Sequence, residues 1–344
     1  MNVLSLFDGM SCGRIALDKA GIKVDKYFAS EIDKYAIKVA QANYPDTIHV
    51  GDVCSVHGED GYLHTDHLDQ DGDPRAVEID ILIGGSPCQG FSFAGKQLNF
   101  DDPRSKLFWE YVRLLRELQP TYFLLENVKM KQESMDVITE ALGVEPIFIN
   151  SSLVSAQNRP RYYWTNIPMT RLPDDKGIVM RDILETEPVD AHYEAGKHLI
   201  EGYKGGDQLN PTYKSQANTI HPLDGKAGTL CAGTHGYSNG YVPTRNGLIL
   251  AGHASDIRGF DVVRRVYHPE GKAPTLTTMQ GGHRQPKVSL SDTTWRKLTP
   301  LECERLQTVP EGYTAHVSNT QRYKMLGNGW TVDVIAHILK GMDA

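Results

Sequence analysis

Seven short apolar runs punctuate the first 168 residues, and most of them end in a glycine, an acid or both. Run 2–7 leads into Asp8-Gly9, run 26–30 into Glu31, and run 47–50 into Gly51-Asp52. Run 79–83 breaks at Gly84-Gly85-Ser86-Pro87, run 122–125 leads into Glu126-Asn127-Val128, and further runs lie near 145–149 and 161–165. Helical spacing fills the intervals: Ile15, Leu17 and Ala20 before Gly21, then about 33–43, 104–118 and 132–142. Apolar runs that do not alternate, separated by helices, predict a doubly wound α/β fold whose mostly parallel sheet is covered on both faces. Such sheets hold ligands beyond the carboxyl ends of their strands, so the turns after each run are the candidate site.

The texture changes near residue 168 to short segments broken by Gly, Pro, Asn and Thr, and helical spacing returns from Leu298. We read 1–168 as a catalytic, cofactor-binding domain, 169–297 as a smaller β- and loop-rich domain, and 298–344 as a segment returning to the first domain. The terminal segment places Val332, Ile335, Ile338 and Leu339 on one helix face. The acidic stretch 54–75 reads as a surface loop. A degenerate repeat, HPLDGKAGTL at 221–230 and HPEGKAPTL at 268–276, reads either as two ordinary hairpins or as two loops presented to one ligand. The net charge of −7 hides an asymmetry: residues 1–195 carry −12 and residues 196–298 carry +6. A basic segment on an acidic body is expected of a local nucleic-acid face, with Lys272, Arg284 and Lys287 as its phosphate contacts.

Five cysteines without C-x-x-C spacing read as free thiols in a reducing compartment. With no basic leader and no apolar run of about 20 residues, the chain is expected to be soluble and cytoplasmic. At the strand ends, the Asp8-Gly9 turn opens a helix whose amides favour an anion, and Glu31 follows Gly9 at the spacing of a ribose-binding acid. With Asp52, these residues point to a nucleoside-containing cofactor. Cys88, in a tight strand-end loop, is placed to act as a nucleophile once its thiol is ionised. Glu126, Arg159 and Arg161 arise at the same sheet edge. Cys-His hydrolase and zinc chemistry fit worse, because no histidine stands at these strand ends and no metal-ligand spacing occurs.

In order, the chain carries SLFDGMSCG, the acid of ASEID, GDV, GGSPCQGFS, ENV, QNRPR, RKLTPLECERLQTVP and LGNGWTVDV. This series resembles the cytosine-C5 DNA methyltransferases of bacteria and phages over nearly the whole chain. The chain departs from the family pattern at Ser11-Cys12, where a glycine pair is usual, and at Asn328-Gly329-Trp330. The resemblance implies a Rossmann-like S-adenosylmethionine-dependent fold with a separate target-recognition domain. It also implies S-adenosylmethionine as cofactor, S-adenosylhomocysteine as product, no metal, and double-stranded DNA as partner. A monomer without membrane association is expected, with room for a restriction endonuclease in the same system.

Carried over by motif, the resemblance makes Cys88 the nucleophile that adds to C6 of a flipped cytosine. Glu126 is the group that meets N3 and the exocyclic amine, Arg161 the contact to the base carbonyl, and Arg159 its partner. Phe7, Asp8, Gly9, Met10, Cys12, Glu31, Ile32, Asp52, Val53, Pro87, Leu107 and Asn328 are the implied cofactor contacts. The segment 89–102 resembles the family's loop that closes over DNA, which gives Gln89, Ser92 and Arg104 DNA roles. In the basic segment, Thr277 belongs to a recurrent Thr-Leu element, and Arg264, Arg265 and Arg284 are candidates for phosphate or guanine contacts. A tRNA-directed branch shares the catalytic fold, but its recognition region is shorter than this one. A catalytically silent relative is disfavoured by the intact Cys88, Glu126, Arg159 and Arg161.

Overall fold

The computed structural model describes residues 1–68, 74–86, 103–186, 244–245, 247–254, 257–279, 283–289 and 295–343. The first region runs β1 (Asn2–Leu6), α1 (Cys12–Ala20), β2 (Lys26–Ser30), α2 (Lys34–Asn43), β3 (Ile48–Gly51), β4 (His57–Glu59), β5 (Tyr62–Leu68) and β6 (Pro74–Glu78). It continues with β7 (Ile81–Gly84), α3 (Pro103–Leu118), β8 (Tyr122–Val128), α4 (Gln132–Leu142), β9 (Ile147–Asn150) and β10 (Pro160–Thr165). Then come β11 (Thr244–Arg245), β12 (Leu248–His253), α5 (Asp261–Arg264), β13 (Arg265–Tyr267), β14 (Lys287–Ser289) and β15 (Trp295–Lys297). Helices α6 (Pro300–Leu306), α7 (Asn319–Asn328) and α8 (Val332–Leu339) close the chain.

Seven strands form one sheet in the order β3-β2-β1-β7-β8-β10-β9. Pairing is parallel from β3 to β8, whereas β10 runs antiparallel to both β8 and β9. The reason is the connection: only nine residues separate Asn150 from Pro160, too few for a parallel crossover. Central strands are buried on both faces, with Val3, Leu4, Leu6, Ile81, Leu82 and Ile83 all at 0 % exposure, which explains why they do not alternate. The flanking helices start and stop close to the bounds that their spacing predicts. Asp33 Oδ1 accepts from Tyr35 N at 2.9 Å at the start of α2, and Gly21, at φ 80°, ends α1. Helix α8 packs on α1 and buries Val332, Ile335, Ile338 and Leu339.

The stretch expected to be a surface loop is instead a three-stranded antiparallel sheet, in the order β4-β5-β6. Asp60 and Gly61, at φ 50° and 87°, form the two-residue hairpin turn between Glu59 and Tyr62. Leu63 and Val77 point inward to the cluster that holds Leu118 of α3, while His57, Tyr62 and His64 stay in solvent. One buried residue on β5 and one on β6 anchor the sheet, although the overall composition is polar.

A second five-stranded sheet has the order β11-β12-β13-β14-β15. The chain after β13 is stitched onto the entry to β10. Ala273 N donates to Ala156 O (2.7 Å), Asn158 N to Ala273 O (2.9 Å) and Thr275 Oγ1 to Asn158 O (2.6 Å). This is the second copy of the sequence repeat; the first lies outside the described residues. Lys272 and Lys287, expected at phosphates, are buried clamps. Lys272 Nζ donates to the carbonyls of Ser152, Ser155 and Ile178, and Lys287 Nζ to those of Val263, His283 and Gln285. An ammonium group needs three acceptors when it leaves water, and each lysine has found three carbonyls.

Candidate active site

Strand register brings the expected residues to one edge. Leu6 pairs with both Ser30 and Gly84, and Gly84 with Leu125, so Phe7, Glu31 and Gly85 leave their strands at the level of Glu126, which is still within β8. On the first side of this edge, Phe7, Gly9 and Ser11 all have positive φ (56°, 59° and 61°), a strained turn of the kind kept where backbone must present groups to a ligand. Ser11 stands at the N-cap of α1 but does not cap it; its hydroxyl donates to Asp8 Oδ2 instead. Amides of the first turn of α1 are therefore available to an anion.

The Glu31 carboxylate is fixed by three amides, those of Gly9, Ile32 and Asp33, each at 2.8 Å. Beside it Ile32 is 75 % exposed, an apolar side chain left in water next to an oriented acid. That pairing of surfaces fits a purine with its ribose hydroxyls, and the open helix terminus fits a carboxylate at the other end of the same ligand. Asp52 Oδ1 accepts from Cys54 N at 2.9 Å, and Val53 is buried beneath it. Asp8 is buried and accepts from Tyr27 Oη at 2.7 Å; desolvation pushes its carboxyl up to about 6. Met10 and Cys12 are buried, and burial holds the Cys12 thiol up at about 12, which makes it inert. Leu107 is half-buried in α3, and Asn328 is exposed at the end of α7.

On the other side, Glu126 Oε1 forms an ion pair with Arg161 Nε at 2.8 Å, both side chains being only 11 % exposed. The second oxygen faces Gly85. A Cβ at that position would lie 3.1 Å from Glu126 Oε2 and 2.9 Å from Trp330 Nε1, so only glycine leaves the carboxylate and the indole in place. Asn127 Nδ2 donates to Ser86 O and Oγ at 3.4 and 3.3 Å, tying the ENV strand end to the turn that leads to Pro87. Pro87, Cys88, Gln89 and Ser92 lie outside the described residues. The described backbone puts Arg104 in the first turn of α3.

Arg159 does not face this pocket. Its guanidinium, 3 % exposed, donates to Leu276 O and Gly327 O at 3.1 Å and to Gly329 O at 2.9 Å. Burial, chiefly, and then the neighbouring Arg161 lower it to about 10, which leaves it charged near neutral pH. It therefore joins the second region and the last motif to the sheet edge. Motif reading noted Trp330 only as a departure from the family pattern and missed Tyr313. Tyr313 Oη donates to Met10 O at 2.8 Å, and the Trp330 amide donates to the Cys12 sulfur. Both departures from the family pattern, Ser11-Cys12 and Gly329-Trp330, thus touch each other. Of the DNA candidates, Thr277 and Arg284 are exposed, Arg264 is half-buried beside Ala254, and Arg265 is paired with Asp261. Among the described residues no group of three or more His, Cys, Asp or Glu side chains is arranged to hold a metal, and no helix is long and apolar enough to cross a membrane.

Comparison with known proteins places the chain in one family. The family described as C-5 cytosine-specific DNA methylase matches residues 1–344. The orphan methyltransferase M.Rho11sI of Bacillus phage rho11s is 30 % identical over 363 residues, covering 84 % of this chain and 69 % of the phage protein. The type II methyltransferase M.HpaII of Haemophilus parainfluenzae is 29 % identical over 357 residues, covering 96 % and 86 %. A methyltransferase encoded within an E. coli prophage superposes with a TM-score of 0.62 at 22 % identity, covering 100 % of this chain and 98 % of the other.

Proposed function

The chain belongs to the C-5 cytosine-specific DNA methylase family and is a DNA cytosine-C5 methyltransferase, and from that premise we propose that it methylates C5 of a cytosine flipped out of a specific double-stranded DNA sequence, through a covalent bond between Cys88 Sγ and C6. The observation that carries this reading is the Glu126–Arg161 pair, which sets the second carboxylate oxygen of Glu126 beside Gly85, two residues before Pro87 and three before Cys88. A base inside a duplex cannot reach that oxygen, so the cytosine must leave the stack, at a cost of a few kcal/mol offset by its new contacts.

Cytosine C5 is a weak nucleophile. Attack of the Cys88 thiolate forms the S–C6 bond and pushes the C5–C6 π pair toward C5 and the ring. Glu126, meeting N3 and the exocyclic amine, offsets the charge that develops, while Arg161 holds the carboxylate by its other oxygen. S-adenosylmethionine, when bound, supplies an electrophilic methyl group for C5. Loss of the C5 proton to water then returns an electron pair to the ring, the S–C6 bond breaks, and Cys88 leaves as thiolate. Glu31 and Ile32 are the proposed ribose and adenine contacts, and the Phe7–Cys12 turn the contact to the methionine end. The region after residue 168 is proposed to choose the sequence.

Bisulfite sequencing of DNA from cells expressing wild type or Glu126→Gln tests the reading. Methylation confined to one sequence context in wild type, and lost in the variant, is expected. Absence of 5-methylcytosine from DNA, with labelled methyl appearing in RNA instead, would overturn it.

A further inference from the structure

The hairpin joining β12 to β13 ends in an apolar tip. Phe260 is 86 % exposed and Val262 is 64 % exposed, so two apolar side chains two residues apart stand in water. The tip is not slack. Ala254 N donates to Arg264 O at 2.8 Å, closing the loop, and Asp261 is paired with His253 at 2.6 Å and with Arg265 at 2.6 Å. Lys287 Nζ, from β14, donates to Val263 O at 2.7 Å. These bonds fix the tip from inside, and Ala254, Ile257 and Val266 form a small core beneath it that Phe260 does not join. A segment held by these bonds that keeps Phe260 away from the core beside it presents an apolar surface to a partner.

The chemistry around the tip selects that partner. The same Lys287 Nζ donates to His283 O and Gln285 O, which brings the segment carrying exposed Arg284 alongside Val263. Arg258, also exposed, stands two residues before Phe260. Among the described residues of this connection the carboxylate is Asp261, and it is paired with His253 and Arg265. Apolar side chains flanked by exposed guanidinium groups match a duplex groove, where phosphates lie at the rim and sugar faces and base edges lie within.

We propose that Phe260 and Val262 form a groove-entering DNA contact of this enzyme, with Arg258 and Arg284 on the flanking phosphates and Lys272 and Lys287 as internal clamps that take no part in binding phosphate. The proposal rests on the DNA reading of the active site and adds to it a contact whose strength salt does not screen. Its test is equilibrium binding of a labelled duplex carrying the sequence that wild type methylates, with S-adenosylhomocysteine present, across a salt series. Phe260→Ala should weaken binding by about tenfold or more at every salt concentration without changing the slope of log affinity against log salt, and Phe260→Leu should restore most of the loss. Arg284→Ala should flatten that slope by about 0.9. Phe260→Ala binding within about twofold of wild type overturns the apolar contact, as does a variant that keeps its DNA affinity but no longer self-associates in sedimentation, which would make the tip a contact between copies. An unchanged slope in Arg284→Ala overturns the phosphate assignment. Failure of wild type itself to bind or methylate the duplex would bring down the DNA reading first, so the two failures are distinguishable.

Discussion

Arg159 offers the sharpest division between two kinds of role, because motif resemblance puts it with the catalytic groups while its guanidinium is spent on the carbonyls of Leu276, Gly327 and Gly329. Replacing it with Met leaves three buried carbonyls without their donor. Each costs on the order of 1 to 3 kcal/mol, and relief of a buried charge offsets part of the sum, so the net loss should be about 3 to 5 kcal/mol. Against a total stability of roughly 5 to 15 kcal/mol that is a large fraction. Arg159→Lys keeps the charge but not the planar fork, and should lose about 3 kcal/mol. Urea unfolding followed by tryptophan fluorescence measures this directly, and single-turnover methylation of pre-bound DNA measures the chemical step. The structure predicts a lowered urea midpoint for both variants, with a turnover defect that follows the folded fraction. A Lys variant as stable as wild type, with single-turnover chemistry slowed about 100-fold, would mean that Arg159 acts on the substrate and would refute the scaffold argument.

Three further outcomes follow from the same geometry. Glu31→Ala removes the acceptor of three amides and the proposed ribose partner, and calorimetry should show S-adenosylmethionine affinity weakened at least about tenfold; equal affinity rejects the assignment. Asp8, whose carboxyl sits at about 6 when folded against an ordinary 3.8, favours folding fully only below about pH 4, and that contribution is lost as pH rises through about 6. Asp8→Asn should therefore be more stable than wild type near pH 8, by up to roughly 3 kcal/mol, with no such gain near pH 4; equal melting near pH 8 contradicts the burial argument. Lys272→Met should lower stability while leaving the salt dependence of DNA binding unchanged, because its ammonium group is enclosed by three carbonyls; a flatter salt slope would place it at a phosphate after all.

Much of the fold was legible because the central strands are buried on both faces and so read as unbroken apolar runs. Helix 132–142, the start near Asp33 and the stop at Gly21 were legible for local reasons, since side-chain capping and positive φ are decided within a few residues. The β4–β6 sheet carried its own signal in Asp60-Gly61, but its hydrophobic face is thin, resting on Leu63 and Val77, and the acidic composition masked it. The reversal of β10 followed from a connection length that apolar runs do not encode. Glu126 and Arg161 were legible as residues of one sheet edge from strand-end position, though not as an ion pair. The role of Arg159 was not, because its partners lie 117 to 170 residues away. Lys272 and Lys287 were misread for the same reason: net charge counts every lysine as surface, and only tertiary structure shows which ammonium groups have exchanged water for carbonyls. Phe260 left no trace in composition, since an aromatic in a loop is ordinarily assumed to find a core.

Trapping with 5-fluorocytosine bears most directly on the central claim, that this enzyme works through a covalent bond from Cys88 to C6. Fluorine at C5 cannot leave as a proton does, so the elimination that breaks the S–C6 bond is blocked after methyl transfer. Duplex DNA carrying 5-fluorocytosine at the methylated position, incubated with S-adenosylmethionine, should leave wild type bound to DNA after denaturation, with the modified peptide containing Cys88. Cys88→Ser should form no such complex while still binding S-adenosylmethionine. A denaturation-resistant complex that persists in Cys88→Ser, or an active wild type that never forms one, would contradict the account.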